Sequence, residues 1–481
     1  MIRHGVVVAL ILALPVLSVA QTDASRDDAR RQYRAGLQHE TRRELDAARR
    51  SYEEAVRQDP TFALALDRLG FVYGLQGDTA RAIAEFERAT KADPALFDAF
   101  YHLGATLWWA GIADRAVESL RTAVRLQPDH AEARYYLGIS LKKRGELVPA
   151  IEQLEESVRL NDSIPVSALQ LGIALQEAGD VTAAVEQLRR AVALAPSSRD
   201  ARNALGLALL QRGDGDAAVE TFRALVAADP AFHSARLNLG TTLMQRGDLD
   251  GAVEVLRALI AQDPTNAEAH YNYGVALKQR DDFKGAEAAL RRASELSPTL
   301  SDAPFTLAVV LWQTGRPAEA ATSFREAIAR RPGYDEAHYM LGTVLRQLGD
   351  QDGAIHEFRE AIRLQPTSAE AHLSLGQVLQ QRGERSAAAA AFEEASRLNQ
   401  KKADVQASTF AVGVGRAQMK EGDIAGAIAQ FERALALASD NFEAHYELAK
   451  ALTALGRRDT AKTHLIEARK LAPRVRFVDP R

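Results

Sequence analysis

A period of 34 residues runs through this chain and constrains its fold more than any other feature. Prolines recur in that step from Pro60 to Pro366, with Asp162 standing in the one skipped place. A glycine series keeps the same phase from Gly36 to Gly376, and Ala308 fills its single gap. A third series, Ala48, Ala82, Ala116 and onward to Ala388, is unbroken over eleven members. Four residues after each of these alanines comes a large apolar side chain, such as Tyr52, Phe86, Leu120, Phe222 or Phe324. Self-similarity at a fixed step of this length marks an array of stacked supersecondary units.

Each unit has a physical reading as two helices. The first carries the small Gly or Ala, where a neighbouring helix comes too close for a larger side chain. Its end is marked by glycines such as Gly77, Gly111 and Gly145, which adopt the left-handed conformation that closes a helix. Aspartates often follow, as at Asp78, Asp180, Asp214, Asp248 and Asp350, placed to cap the next helix. The second helix carries the recurrent alanine and the large apolar residue on one face, at i and i+4. Proline then stops it, lacking the N–H needed to continue. One such pair cannot bury both apolar faces, so the units must stack.

This pattern resembles the tetratricopeptide repeat family, whose signature has a small residue at position 8, Ala at 20, a large apolar residue at 24, Ala at 27 and Pro at 32. The unit starting at Ala267 matches with Gly274, Ala286, Leu290, Ala293 and Pro298, and the unit starting at Asp335 with Gly342, Ala354, Phe358, Ala361 and Pro366. The family's Trp at position 4 is replaced here by residues such as His270, His338, His372, Arg202 and Arg236. The resemblance implies an all-α fold, an α-solenoid coiled as a right-handed superhelix. Eleven units are expected over residues 29–402 and two more over 403–475, followed by a short tail at 476–481. Between these groups the phase slips by five residues, and Glu384 to Thr409 contains neither Gly nor Pro. That predicts one long helix from about Ser386 towards Val412, interrupting the superhelix.

The N-terminus differs from the rest. Arg3 and His4 precede an apolar run, Gly5–Leu17, and then Ser18, Val19 and Ala20. That order is expected of a secretory signal peptide spanning residues 1–20 and cleaved after Ala20, which places the mature chain in the periplasm or outside the cell. The apolar run is shorter than the roughly 20 residues a membrane span needs.

Chemistry is scarce. There is no cysteine, which removes thiol catalysis, disulfides and cysteine-held metals. A net charge of −4 gives no reason to expect nucleic acid. No phosphate-binding loop, nucleophile elbow or dinucleotide fingerprint is present, because the glycines serve helix packing and turns. The histidines at position 4 would have to meet from different repeats to hold a metal, so no metal or other cofactor is expected. Thirteen repeats account for nearly all of the chain after residue 20, leaving no room for a catalytic domain, and an enzyme is not expected.

Binding is the remaining reading. In the resembled family, first helices line a concave groove through positions 2, 5, 9, 12 and 13. Position 5 here offers Tyr101, Tyr135, Tyr271, Phe305, Tyr339 and Tyr446, position 12 offers Trp108 and Trp312, and position 2 offers Glu268, Asp302 and Glu336. Position 13 is glutamine in six repeats, from Gln211 to Gln381. Tyr and Trp dominate the energetics of many interfaces, so these residues form the candidate groove for a protein or peptide partner. The consecutive Trp108 and Trp109 cannot both face one helix stripe, which points to a binding role for that pair. The alternative for these tyrosines is packing against the neighbouring repeat, and for the acids a favourable place at a helix N-terminus. The basic clamp that some members use for acidic C-terminal tails needs Lys at position 5 and is absent. The function expected is a non-enzymatic, monomeric scaffold. The rival is an assembly component of an envelope, secretion or polysaccharide-export machine, working through its convex face or ends.

Overall fold

In the computed structural model, the backbone is described for residues 14–473, 475 and 477–479, and side chains from residue 24. The segment read as a signal peptide, residues 1–20, lies outside the residues whose side chains are described. Among the described residues the secondary structure is wholly helical, with 25 helices. Thirteen helix pairs with one pair of neighbours fused account for that number. The chain divides into two compact units, Met1–Ala201 and Arg202–Arg481.

Second helices begin at Thr79, Ala113, Leu147 and onward to Arg385 at the sequence period, and first helices at Ala63, Phe97, Ala131 and onward to Ala369. The turn between them is set by position 15, where the chain takes positive φ. Glycine holds that place from Gly77 to Gly456, and the two exceptions are Arg43 (φ 59°) and Asp281 (φ 60°). The side chains of Asp78, Asp180, Asp248, Asp282, Asp350 and Asp423 accept a backbone N–H two or three residues into the following helix. Asp214 differs from expectation: it makes no cap bond, because the guanidinium of Arg212 binds its carboxylate, with Nε at 2.6 Å.

The close approach expected at position 8 lies within each repeat. A Cβ added to Gly104 would sit 2.4 Å from Leu120 Cγ, and one added to Gly342 would sit 2.9 Å from Phe358. Position 24 therefore lies directly over position 8, and Tyr52, Phe86, Phe222, Phe324, Phe358 and Phe431 are the largest fully buried side chains. Neighbouring repeats join through smaller contacts. The position-27 alanine of one repeat meets the position-3 alanine of the next, as with Ala123 and Ala133, Ala191 and Ala201, and Ala327 and Ala337.

That joint is missing once. The long helix runs from Arg385 to Glu421, 37 residues, further than expected, and ends at Gly422 with φ 84°. It fuses the second helix of the eleventh repeat with the first helix of the twelfth, and spans about 55 Å at 1.5 Å per residue. Gly413 and Gly415 do not end it; a Cβ on Gly415 would meet Phe431 at 2.5 Å, the usual position-8 contact. Ala395, at position 27, and the following position 3 now lie on one helix and cannot touch. Position 3 is accordingly not alanine but Phe410, 75% exposed.

Candidate protein-recognition site

In the first unit, a cleft of about 440 Å3 opens between the first helices Ala63–Leu75 and Phe97–Trp109. Phe71, Leu75, Tyr101, Ala105 and Trp109 line it, and these are positions 9, 13, 5, 9 and 13 of two successive repeats. Phe86 and His102 form part of its wall. His102 is held in place by its Nδ1, 2.8 Å from the buried carboxylate of Asp67, and by the rings of Phe71 and Phe86 on either side. Trp109 is 72% exposed and Leu75 55%, so two large apolar side chains stand open to water at its rim.

Tyr101 is rigidly placed. Its ring stacks on Phe97 with centroids 5.7 Å apart and meets His130 at 5.0 Å, and its hydroxyl donates to Glu132 at 2.8 Å. Burial first, and then that bond to a carboxylate, push the phenol far above its ordinary range, so it remains a donor. Trp108 is half-buried, edge-on to Trp109 at 4.8 Å and to Tyr136 at 6.0 Å. Tyr135 is also half-buried against Tyr136, and burial raises its phenol. Tyr101, Trp108 and Tyr135 are thus linked through the single ring of Tyr136, and Trp109 joins them only through Trp108.

In the second unit, Phe305 stacks on Tyr334 at 4.8 Å and meets Phe324 edge-on. Asp302 accepts from the Tyr334 hydroxyl at 2.8 Å and pairs with Arg331 at 3.2 Å, while the Arg331 guanidinium lies 3.3 Å from the Tyr334 ring centre. Tyr271 is half-buried, with its hydroxyl bonded to Thr306, and burial raises its phenol. Trp312 donates its Nε1–H to Gln347 at 2.7 Å, and Tyr339 packs on Phe358. Glu268 and Glu336 are exposed. Tyr446 contacts the tail of the chain: its hydroxyl donates to the Val478 carbonyl at 3.2 Å and its ring meets Phe477 at 5.0 Å.

Many position-5 rings are therefore engaged by the residue just before the next first helix: Tyr33 by Phe62, Tyr101 by His130, Phe305 by Tyr334. Position 34 carries no marked residue type, and this pairing is not visible in the sequence. Phe71 and Leu75 are not singled out there either. The available signal was position 13, which is glutamine in six repeats but Leu75 and Trp109 in these two. The position-4 histidines do not converge; His270, His338, His372 and His445 each turn to a carbonyl oxygen six residues upstream. Among the described residues no group of three or more His, Asp or Glu could hold a metal ion. No described helix is long and apolar enough to cross a membrane.

Paired helices with exposed aromatic anchors on the first-helix face define a helical-repeat protein of the class that generally serves protein–protein interaction. A family model described as the C-terminal domain of cilia and flagella-associated protein 70 matches residues 168–411, and tetratricopeptide repeat models match residues 33–96, 101–163 and 418–476. The chain belongs to the tetratricopeptide repeat family. No curated protein matches it. Among solved structures it is similar to that of PilF from Pseudomonas aeruginosa, at 25% identity over 42% of this chain and 91% of that one, with a TM-score of 0.38. MamA from Desulfovibrio magneticus RS-1 is also 25% identical, over 36% of this chain and 97% of that one, with a TM-score of 0.34. The hetero-tetramer Cut9–Hcn1 of the APC/C gives 16% identity over 95% of this chain and 96% of that one, with a TM-score of 0.35. None of these likenesses bears on what this chain binds.

Proposed function

We propose that the protein is a non-enzymatic scaffold that holds an extended peptide, or a helix of a partner protein, against the first-helix positions 5, 9 and 13. The cleft between residues 63–75 and 97–109 carries this reading. It combines apolar volume, a fixed Tyr101 ring, and the exposed Trp109 and Leu75, which cost solvation unless a partner covers them. In the second unit, first-helix residues among them Tyr271, Phe305, Tyr339, Glu268 and Glu336 would form a surface of the same kind. Apolar anchors with polar side chains fixing register is a general mode of peptide capture.

The test is selection of binding peptides from a random library on the full chain, followed by affinity measurements on variants. Trp109→Ala and Leu75→Ser change exposed side chains and leave the fold intact; loss of about 2 kcal/mol of binding is expected for the tryptophan. The combined Tyr271→Ala, Phe305→Ala and Tyr339→Ala variant probes the second unit, with hydrogen exchange as a control because Phe305 and Tyr339 also pack. Selected peptides indifferent to both sets of changes would sink the groove. Residues 1–20 support export to the periplasm or beyond, and a mature N-terminus at Gln21, read by mass spectrometry, is the expected result. A monomer is expected in light scattering.

A further inference from the structure

The last helix, Arg458–Leu471, carries a surface that its twelve counterparts do not. Position 25 of the repeat is Glu or Arg in every one of them, among them Glu53, Glu87, Arg121, Arg257, Arg359 and Glu432. In the last repeat that position is Ile466, 55% exposed. Two neighbouring positions change in the opposite sense. Position 28, where interior repeats carry residues such as Val124, Val192 and Ile328, becomes Arg469. Position 21, with Val117, Ile151 and Ile355 inside the array, becomes Lys462.

These changes meet in one place. A cleft of about 460 Å3 has Ala461, Leu465 and Ile466 as its apolar floor, with Arg458, Lys462 and Arg469 around it. The described part of the tail reproduces the start of an ordinary joint, since Phe477 covers Tyr446 much as His130 covers Tyr101, while Ile466 on the last helix stays exposed. One acid is already held there: Asp479 pairs with Arg469 at 2.6 Å at the edge of the cleft. An ordinary following repeat would strand Lys462 and Arg469 against apolar side chains. A second copy docking by its own last helix would set three cations against three. A second copy docking by its N-terminal helix would bring Asp27, Asp28, Arg30 and Arg31, exposed ion pairs without an apolar stripe.

We infer that the C-terminal end of the array is a separate docking site for an acidic amphipathic helix of a partner protein. Its apolar stripe lies on Ile466 and Leu465, and its carboxylates face Arg458, Lys462 and Arg469. This site is distinct from the first-helix groove proposed above and stands or falls independently of it.

Two labelled synthetic peptides test it by fluorescence anisotropy with the full chain: amphipathic helices with one leucine stripe, flanked in one by glutamates and in the other by lysines. The glutamate peptide is expected to bind at least about tenfold more tightly than its lysine twin. Ile466→Glu restores a residue type that five other repeats carry at that position and should weaken this binding by a similar factor. Lys462→Glu should narrow the preference between the two peptides, and Trp109→Ala should leave it unchanged. Absence of binding, equal binding of both peptides, or indifference to Ile466→Glu overturns the inference. So does a dimer in light scattering that Ile466→Glu dissociates, since the occupant would then be a second copy.

Discussion

The Nε2–H of His338 donates to the carbonyl oxygen of Pro332, 3.3 Å away, across the turn that separates two repeats. The same bond recurs from His270 to Pro264 at 3.1 Å, from His372 to Pro366 at 3.3 Å and from His445 to Ser439 at 3.1 Å, and Arg134 makes it to Pro128 with Nε at 2.6 Å. The acceptor lies in the turn, two residues beyond the end of the preceding second helix, as Pro332 follows the helix that ends at Arg330. A donor at position 4 therefore ties each of these five repeats to the turn before it. This gives the departure from the family's tryptophan a physical role, and it orients the other ring nitrogen. In His338 that nitrogen, Nδ1, lies 2.6 Å from a Glu357 carboxylate oxygen.

Replacing His338 with alanine leaves the Glu357 carboxylate, 16% exposed, without its partner, together with the Pro332 carbonyl. A local loss of about 2–3 kcal/mol is expected. His372→Ala, where the half-exposed ring bonds only the carbonyl, should cost less than about 1 kcal/mol. Hydrogen exchange of residues 335–364 reads the first directly, because repeat arrays open in segments. Equal effects of the two changes would refute the account.

Glycine at position 8 is a matter of space. Gly104→Ala would drive a methyl group into Leu120, and a loss of about 1–3 kcal/mol is expected. Gly74→Ala meets nothing nearer than Ala82 Cβ at 3.9 Å and should stabilise the first unit by about 0.5 kcal/mol. Urea unfolding followed by circular dichroism distinguishes the signs.

At position 15 the constraint is the backbone instead. Arg43 occupies a left-handed conformation that costs a side-chain-bearing residue about 1–2 kcal/mol. Arg43→Gly should recover about 1 kcal/mol of that. Asp281→Gly should gain less, since aspartate tolerates the conformation better. Thermal melting of each variant measures the difference.

The last repeat should weaken in mild acid. Burial, and then the neighbouring His445, lower the pKa of His464, while Glu432 opposes them. The folded state therefore favours the neutral ring, and the unfolded chain takes up the proton first. Stability from this group is fully present above its ordinary pKa of about 6.5 and is lost as pH falls through the depressed value. The geometry agrees: His445 gives its Nε2–H to Ser439, so its Nδ1 accepts from His464 Nδ1 at 2.9 Å. Protection of residues 442–471, corrected for intrinsic exchange, should fall between pH 7.5 and pH 5.5, and His464→Gln should flatten that dependence.

The long helix separates exposed from buried aromatics. Phe410→Ala should change stability by less than about 0.5 kcal/mol, because the ring is 75% exposed. Phe431→Ala removes a fully buried ring beneath Gly415 and should cost about 3–5 kcal/mol.

Much of the fold was legible because its determinants are local. Position 8 meets position 24 only sixteen residues on, and Gly77 or Gly111 turns the chain with its own backbone, so each rule repeats visibly at the sequence period. The long helix was legible for the same reason, since nothing from Glu384 to Thr409 can stop it. Its end was not: Gly413 and Gly415 look like stops, yet packing against Phe431 keeps the second of them helical. The groove was legible as a set of positions and not as a set of contacts. The sequence names Tyr101 and Asp302, but only the fold shows them engaged, by Glu132 and His130 and by Tyr334 and Arg331.

The sequence by itself determined a helical-repeat fold, its register and its one irregular joint, because backbone conformation and close helix approach depend on residues near one another in the chain. Which of two adjacent tryptophans faces water was decided by tertiary structure. Trp108 and Trp109 differ by about 100° around the helix, and Tyr136 from the next repeat covers only the first. Exposure depends on what a neighbouring repeat places against a side chain. Trp109 and Ile466 stay exposed because, among the described residues, nothing packs over the ring or the methyls.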